Sequence, residues 1–395
     1  MNREFRYAVE HSLVVPCGAA IALVWANWSA ESYFRFANAL AFAVNDVGMA
    51  MFFAVMMQEV LEATMVGGAL HTWRRAMLPI VAAIGGTIGA IGAYEAVVLS
   101  GDERLLAAGW PIVCAIDGGL MYLVVQFLLG KGDARPFVLL MVIVSNAIGL
   151  IVIGLHQQSA NVQWAGPLLI GSGLIVSIAL KRLRVRTIWL HVVISGAFMW
   201  WGFWWSGLHP ALALVPIVPF LPRAPRGLTF FVDSSPHDSS RHLEHVFRIP
   251  EQIILLLFAL VNGGAVVHAV ERGAWAVPAG AFVGRPIGTL VAVGIAVWLG
   301  LRLPARLGRR ELVVIACAAS CSFTFGLFFT TAVFPLGPVL TEAKVGALST
   351  LAGVLLAIAA AWLFAVGRFS SGILRPPRAS PKRQGRFRGR PVYRE

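Results

Sequence analysis

Asp117 lies inside a long apolar segment of this chain, a position where a charge is expensive. Pro111 precedes it, and Gly118 and Gly119 follow directly. Because proline removes a backbone donor and consecutive glycines let a helix unwind, the pattern predicts a helix broken within the membrane. An aspartate at the centre of a membrane helix costs about 2.5–3.5 kcal/mol, so it usually faces protein or water. Its carboxylate can bind a proton or a cation there, or it can form a structural ion pair.

Arg285 is the candidate cation for such a pair. It precedes Pro286 within a second apolar segment, Phe282–Gly288. Arginine keeps its proton in proteins, so it can neutralise charge but cannot carry a proton. We expect Asp117 and Arg285 to approach each other near the bilayer centre, directly or through broken-helix ends. Two isolated charges at that depth would be unfavourable.

A third irregular segment, Ala318–Gly326, is rich in small and hydroxyl residues, which include Ser320, Ser322 and Thr324. Such residues allow close packing between membrane helices, and they are equally compatible with a second helix break. Two buried histidines, His191 and His209, are expected to have their hydrogen bonds satisfied. A helix broken at mid-membrane beside an ionisable residue is typical of secondary transporters.

The composition predicts an all-α polytopic membrane protein. Hydrophobic residues make up 58% of the 395 residues and charged residues only 13%, against about a quarter in soluble domains. Continuous apolar runs of about 20 residues fit membrane helices rather than barrel strands. About twelve spans are predicted, at 12–28, 45–65, 77–99, 109–129, 137–155, 164–180, 187–205, 207–221, 250–270, 275–299, 311–333 and 343–367. Residues 1–367 would form the transmembrane domain, and 368–395 a basic, disordered cytoplasmic tail.

The basic residues are distributed very unevenly between the predicted loops. Outside the spans, 27 lysines and arginines fall on one side of the membrane and 3 on the other. The positive-inside rule therefore predicts that both termini are cytoplasmic in a multi-pass protein of the cell inner membrane. The same distribution assigns the net charge of +13 to topology and contact with the lipid bilayer, not to nucleic acid.

Enzymatic function is not indicated by the sequence. It contains no HExxH motif, no paired mid-membrane aspartates and no convincing Ser-His dyad. Cys317 and Cys321 share a helix face, but two thiols without a nearby histidine make a weak metal site. No metal site or cofactor is expected.

Eight short motifs, in order, carry a resemblance to the NhaA-type sodium/proton antiporters over nearly the whole chain before the tail. They are Asn45–Phe53 with Glu59, Pro79–Gly86, Gly109–Ile112 with Asp117, Ser206–His209, Leu243–Val246, Asn262–Gly264, Gly284–Gly288 and Phe323–Thr324. The resemblance implies about twelve helices in inverted repeats, with helices four and eleven broken and crossing. It also implies Na⁺ and H⁺ as transported ions, and it implies homodimers.

The resemblance implies roles for individual residues. Asp117 would balance the helix-end dipoles at the fourth-helix break, and Arg285 would replace the family's lysine in the tenth helix. Glu244 and His245 match a Glu-His pair of the pH-response region. Crossing of the eleventh helix would place Ser320, Ser322 and Thr324 in the broken-helix region with Gly118 and Gly119.

The chain departs from the family at the positions that bind the transported ions. Ser145 and Asn146 take the places of the two adjacent helix-five aspartates that bind sodium or protons, and Ile116 replaces a threonine. Neutral oxygens can coordinate sodium but do not titrate. The link Ser29–Val44 is also too short for the β-hairpin that supports dimers in the family, so any homodimer would form without it.

Two hypotheses follow. In the first, the chain exchanges sodium or another monovalent cation for protons, with Asp117 as the only certain mid-membrane carboxylate. In the second, it is a transport-deficient homologue with a regulatory or structural role, in which Asp117 and Arg285 form a permanent pair. Proton-coupled cation flux into vesicles separates the two.

Overall fold

The computed structural model describes residues 14–65, 73–101, 105–130, 134–156, 163–185, 187–221, 241–266, 272–304 and 307–370. All regular structure in these ranges is helical. The α-helices are α1 (Val14–Trp28), α2 (Ala30–Ala41), α3 (Met49–Thr64), α4 (Trp73–Leu99), α5 (Gly118–Leu129), α6 (Ala134–His156), α7 (Ala165–Arg182), α8 (Ile188–Leu190), α9 (Gly196–Trp205), α10 (Arg241–Asn262), α11 (Arg272–Pro278), α12 (Arg285–Trp298), α13 (Arg309–Ala318), α14 (Phe323–Val333), α15 (Pro338–Ser349) and α16 (Gly353–Leu363).

Shorter helical forms connect several of these helices. Three segments are π-helical: Phe42–Gly48, His191–Ser195 and Ala279–Gly284. Five are 3₁₀-helical: Leu106–Val113, Pro210–Leu212, Val215–Phe220, Thr350–Ala352 and Gly367–Phe369. π-Helical turns inside α-helices occur frequently at functional sites, and the π segment Ala279–Gly284 leads directly into Arg285.

Seven helical segments of the described chain are long and apolar enough to cross a membrane. They are Ala30–Thr64, Ala76–Leu99, Ala134–Leu155, Ala165–Arg182, Gly273–Trp298, Arg309–Val333 and Pro338–Phe369. An eighth span is a pair of helices, Leu106–Val113 and Gly118–Leu129, whose axes are bent by 48° at the break between them. Val14–Trp28, Pro210–Phe220 and Glu251–Asn262 are shorter apolar helices. Eleven of the twelve predicted spans overlap these segments, three of which are shorter than a full span. The twelfth, 187–205, is helical through α8, the π segment His191–Ser195 and α9.

The segment between the first two predicted spans differs from the prediction. Ser29–Val44 was expected to be a short link, with the second span starting at residue 45. Instead the chain is helical from Ala30 to Thr64, through α2, the π segment and α3. Tyr33 holds α2 against the end of α10, because its hydroxyl donates to the Val261 carbonyl at 2.7 Å and accepts from the Gly264 N–H at 2.8 Å.

Glycines allow α4 to lie unusually close to the segment Ala279–Trp298. A Cβ at Gly89 would meet the Gly284 carbonyl oxygen and would lie 2.7 Å from Gly288 Cα. One turn away, a Cβ at Gly85 would lie 2.8 Å from the Gly288 carbonyl oxygen. Glycines four residues apart share a helix face, so the two backbones are in direct contact along it. This contact fixes the position of Arg285, the first residue of α12.

Two spans are interrupted within the bundle. The first breaks between Leu106–Val113 and α5, at residues 114–117, as the glycines after Asp117 predict. The second breaks between α13 and α14, at residues 319–322, which decides between the two interpretations of Ala318–Gly326 in favour of a break. An 18-residue stretch of Arg309–Val333 is 94% buried, so this interrupted span is the most enclosed of the seven.

Candidate ion site

The Asp117 side chain caps the amino-terminal ends of two helices. Its Oδ1 accepts from the Leu120 N–H at 3.3 Å, at the start of α5. Its Oδ2 accepts from the Thr324 hydroxyl at 2.5 Å and from the Thr324 N–H at 3.4 Å, at the start of α14. Free N–H groups give a helix start a partial positive charge, so one carboxylate compensates two helix ends. The Asp117 residue is only partly buried.

Two hydrogen bonds to backbone carbonyls tie the two breaks together. The Asp117 N–H donates to the Cys321 carbonyl at 2.8 Å. In return, the Ser322 hydroxyl donates to the Ala115 carbonyl at 2.6 Å. The Ser322 side chain does not cap its own helix α14, and the Asp117 carboxylate accepts from the Thr324 N–H at this helix start instead. The two interrupted spans thus form one hydrogen-bonded unit.

Arg285 lies at the opposite end of the first break. Its side chain is fully buried. Its Nη2 donates to the carbonyls of Val113 and Ala115, the latter at 3.2 Å. The Val113 carbonyl ends the Leu106–Val113 helix and the Ala115 carbonyl follows in the break, at a helix end where the dipole favours a cation. No ion pair joins Arg285 to Asp117, both of which the structure describes, and the two charges are connected through the broken-helix ends.

Thr87 on α4 is a third donor at this helix end that sequence reasoning did not identify. Its hydroxyl is buried and donates to the Cys114 carbonyl at 3.0 Å. With Arg285 and Ser322 it satisfies carbonyls that the helix break leaves without helical partners. A lone threonine in an apolar helix has no sequence pattern that distinguishes this function from a bond to its own helix.

Ser145 and Asn146 lie on α6 and are almost completely buried. Neither Ser145 Oγ nor Asn146 Oδ1 has a hydrogen-bond partner in the described structure. A Cβ at Gly118 would lie 3.8 Å from Asn146 Nδ2, so the Asn146 amide adjoins the residue after Asp117. Buried polar atoms without partners are uncommon in proteins and suggest an unseen ligand or water. Two neutral oxygens on α6 are therefore without partners, and the amide that carries one of them adjoins the residue after Asp117.

The remaining candidate residues lie at the two helix breaks and on α10. Gly118 and Gly119 form the first turn of α5, and Gly118 packs against Val142. Ser320 lies in the second break, fully buried and with its Oγ without a partner in the described structure. Glu244 and His245 lie on α10, in a stretch whose side chains are outside the described part of the chain. Residues 222–240 and the tail beyond residue 370 also lie outside it.

Comparison with known proteins shows the family of this chain. Residues 3–364 match the family described as Na+/H+ antiporter 1. The chain belongs to the NhaA-type Na⁺/H⁺ antiporter family. The "Na(+)/H(+) antiporter NhaA" of Jannaschia sp. (strain CCS1) is 34% identical over 88% of this chain and 94% of its own length. "Na(+)/H(+) antiporter NhaA 1" of Pelobacter propionicus is 33% identical over 94% of this chain and 100% of its own length.

A third relative, the "Na(+)/H(+) antiporter NhaA" of Desulfitobacterium hafniense, is 34% identical over 93% of this chain. The family resemblance and the all-α polytopic fold class predicted from the sequence are confirmed. Members of this NhaA-type family are membrane transporters rather than enzymes. Ser145 and Asn146 lie within the matched residues.

Proposed function

We propose that this chain exchanges sodium, or another monovalent cation, for protons across the cell inner membrane, with Asp117 as the coupling carboxylate. Coupling by competition requires a group that binds either the cation or the proton. Ser145 and Asn146 cannot supply it, because neither side chain titrates. Asp117 is the carboxylate of the two helix breaks, and a bound cation and a bound proton would exclude each other there.

The observation that carries this proposal is the separation of Asp117 from Arg285. A carboxylate held in a permanent ion pair with an arginine would stay ionised and could not take up a proton. Arg285 instead uses its Nη2 on backbone carbonyls, while Asp117 binds neutral donors and remains partly accessible. This arrangement supports exchange over the alternative of a permanent Asp117–Arg285 pair in a transport-deficient homologue.

The ligands for a bare cation would come from the first break and from α6. The Asp117 carboxylate supplies charge from the first break, and Asn146 Oδ1 and Ser145 Oγ supply neutral oxygens from α6. Oxygen ligands of this kind suit a hard monovalent ion. With one carboxylate, at most one proton can be exchanged for one monovalent cation, so transport would be electroneutral.

The decisive experiment measures exchange in proteoliposomes with a trapped pH-sensitive dye, after a sodium gradient is imposed. With the unmodified chain, an inward sodium gradient should alkalinise the lumen and an outward gradient should acidify it. Asp117→Asn should abolish both signals. Asp46→Asn, which changes another half-buried carboxylate outside the breaks, is the matched control and should retain exchange. Exchange that survives Asp117→Asn would show that the assignment of Asp117 is wrong.

If the unmodified chain shows no sodium-driven pH change in that assay, the result would support the second candidate function, a regulatory or structural homologue. ²²Na⁺ binding to the purified protein then separates two cases. Binding that Asp117→Asn abolishes indicates an intact site that has lost coupling, whereas no binding indicates that the site itself has been lost.

The orientation and assembly of the protein are part of the proposal. The 27-to-3 distribution of basic residues supports cytoplasmic termini. The basic tail from residue 368 would contact anionic lipid on that side. A homodimer would use surfaces other than a β-hairpin between the first two spans, since the chain from Ala30 to Thr64 is helical.

A further inference from the structure

The serine and threonine hydroxyls of the described chain form two kinds of hydrogen bond. Most of them donate to a carbonyl three or four residues back, as those of Thr330 and Thr350 do. This local bond is common for a hydroxyl in a helix, because the carbonyl already lies within reach. Three hydroxyls of the described residues donate to another element instead, and all three bond the first break, residues 114–117: they belong to Thr87, Ser322 and Thr324.

Thr87 is the member of this group that lies outside both breaks. It belongs to α4, and its buried hydroxyl donates to the Cys114 carbonyl at 3.0 Å. A threonine in a helix can instead bond the carbonyl four residues back, here that of Ala83, so helix geometry does not force the bond to Cys114. The tertiary structure therefore uses this hydroxyl to join α4 to the first break.

The part of α4 that carries Thr87 is packed directly against the segment that carries Arg285. A Cβ at Gly86, the residue before Thr87, would lie 3.4 Å from Arg285 Cγ. The Arg285 Nη2 in turn bonds the carbonyls on both sides of Cys114. Thr87 and Arg285 therefore donate from one closely packed helix pair to three consecutive carbonyls, those of residues 113–115.

Asp117 lies three residues beyond Cys114, a distance that the chain covers in at most about 11 Å. The Asp117 N–H bonds the Cys321 carbonyl, and its carboxylate caps α5 and α14. A shift of the Cys114 carbonyl is therefore passed to the carboxylate through very few rotatable bonds. Without the Thr87 hydroxyl, the buried Cys114 carbonyl would lose its side-chain donor, and the break would open more readily.

We propose that Thr87 is a positioning residue for the Asp117 carboxylate, because it fastens the first break to α4. Its consequence for transport rests on the proposed function of Asp117, whereas its consequence for the break rests on the hydrogen bonds alone. Thr87 does not supply charge to the site. Its loss should therefore weaken cation binding without abolishing exchange, in contrast to the loss of Asp117.

Hydrogen exchange followed by mass spectrometry examines the break directly and needs no transport. In the full chain purified in detergent, Thr87→Val keeps the β-branched shape and removes the hydroxyl. We expect the amides of residues 114–121 to exchange about tenfold faster, because opening of the break is easier by about one buried hydrogen bond. Tyr94→Phe is the matched control on α4, since its buried hydroxyl donates to the Leu106 carbonyl at the far end of the same 3₁₀ segment. It should leave exchange at residues 114–121 unchanged.

Sodium-dependent exchange in proteoliposomes tests the consequence for the ion. Thr87→Val should raise the apparent KM for sodium about fivefold, with little change in the maximal rate per folded protein, because the carboxylate is retained but held less firmly. Thr87→Ser keeps the hydroxyl and should restore the KM, and Tyr94→Phe should not change it. A loss of folded protein alone would lower the maximal rate and leave the KM unchanged, so the KM separates positioning from stability.

Several results would overturn the proposal. They are unchanged hydrogen exchange at residues 114–121 in Thr87→Val, equal acceleration there in Tyr94→Phe, and an unchanged KM in a chain that exchanges sodium. If Thr87→Val does not fold, Thr87→Cys replaces it, because a thiol is a weaker donor and should give an intermediate acceleration. If the unmodified chain neither exchanges sodium nor binds ²²Na⁺, the proposed function has failed, and the hydrogen exchange alone decides the role of Thr87.

Discussion

The Thr324 hydroxyl donates a 2.5 Å hydrogen bond to Asp117 Oδ2, which joins the starts of α5 and α14 through one side-chain contact. This bond should also tune the cation affinity of the carboxylate. Thr324→Val keeps the shape but removes the donor that helps to orient the carboxylate. We expect the apparent KM for sodium to rise about tenfold, the equivalent of about 1.4 kcal/mol, since hydrogen bonds to charged groups contribute on this scale.

Proteoliposome exchange measured over a series of sodium concentrations tests this prediction. Thr330→Val is the matched control on the same helix, because the buried Thr330 hydroxyl bonds the Leu327 carbonyl of its own helix. Equal KM values for Thr324→Val and the unmodified chain would mean that Asp117 does not bind the ion.

Restoring two carboxylates on α6 should strengthen exchange. In the double variant Ser145→Asp/Asn146→Asp, two titrating groups would join Asp117 near the break. We expect faster, more strongly pH-dependent exchange, which becomes sensitive to membrane potential once more than one proton moves per sodium ion. Initial rates measured with potassium and valinomycin clamping the potential distinguish the two modes. An unchanged rate, with the variant folded, would show that α6 does not contribute to the ion pathway.

The contact between α4 and α12 should tolerate no added carbon. A Cβ at Gly89 would meet the Gly284 carbonyl oxygen, and its position 2.7 Å from Gly288 Cα is too close for any real contact. Gly89→Ala should therefore destabilise the protein by about 1–3 kcal/mol or prevent folding, as overpacking does. Thermal unfolding in detergent, followed by tryptophan fluorescence, measures the loss.

Gly92→Ala is the control for this prediction, one turn along the same helix. A Cβ at Gly92 would have no atom within 4 Å. Alanine is the better helix former, so this variant should be neutral or more stable by about 0.5–1 kcal/mol. Similar melting temperatures for both variants would contradict the close packing of α4 against α12.

Arg285 should matter more for stability than an exposed arginine. Arg285→Met would leave the Val113 carbonyl without its side-chain donor at a buried helix end, whereas the Ala115 carbonyl would keep the Ser322 hydroxyl. Leaving a buried polar group unsatisfied costs about 1–3 kcal/mol per group, so we expect a clear fall in melting temperature. Arg309→Met, at an exposed position at the start of α13, is the comparison, and it should change the melting temperature little. Equal melting temperatures would show that the carbonyl cap is unimportant.

The topology prediction concerns the carboxyl terminus. A reporter active only in the cytoplasm, such as green fluorescent protein, should fluoresce when fused after residue 395, whereas alkaline phosphatase at that point should be inactive. The excess of basic residues on one side is the physical reason. Phosphatase activity from the carboxyl-terminal fusion would reverse the proposed orientation of every span.

The sequence by itself determined the fold class and much of the architecture. The length and continuity of the apolar runs predict membrane helices because lipid offers the backbone no hydrogen-bond partners. The glycines after Asp117 predict the first helix break, because they lower the cost of leaving the helix there. The order of the family motifs identified the family before any geometry was considered. These are local or additive properties, which a single chain displays without folding.

Tertiary structure alone decided which groups meet. Only the crossing of the two breaks gives Asp117 the Thr324 hydroxyl as a partner. Only the packing of α12 beside the first break gives Arg285 the carbonyls of Val113 and Ala115 as partners. The second break and the helical course of Ser29–Val44 likewise depend on packing between distant segments. So does the buried His191 Nε2, which against expectation has no hydrogen-bond partner in the described structure. Hydroxyl, amide and imidazole groups accept many partners, so their identity in the sequence cannot specify which one the fold supplies.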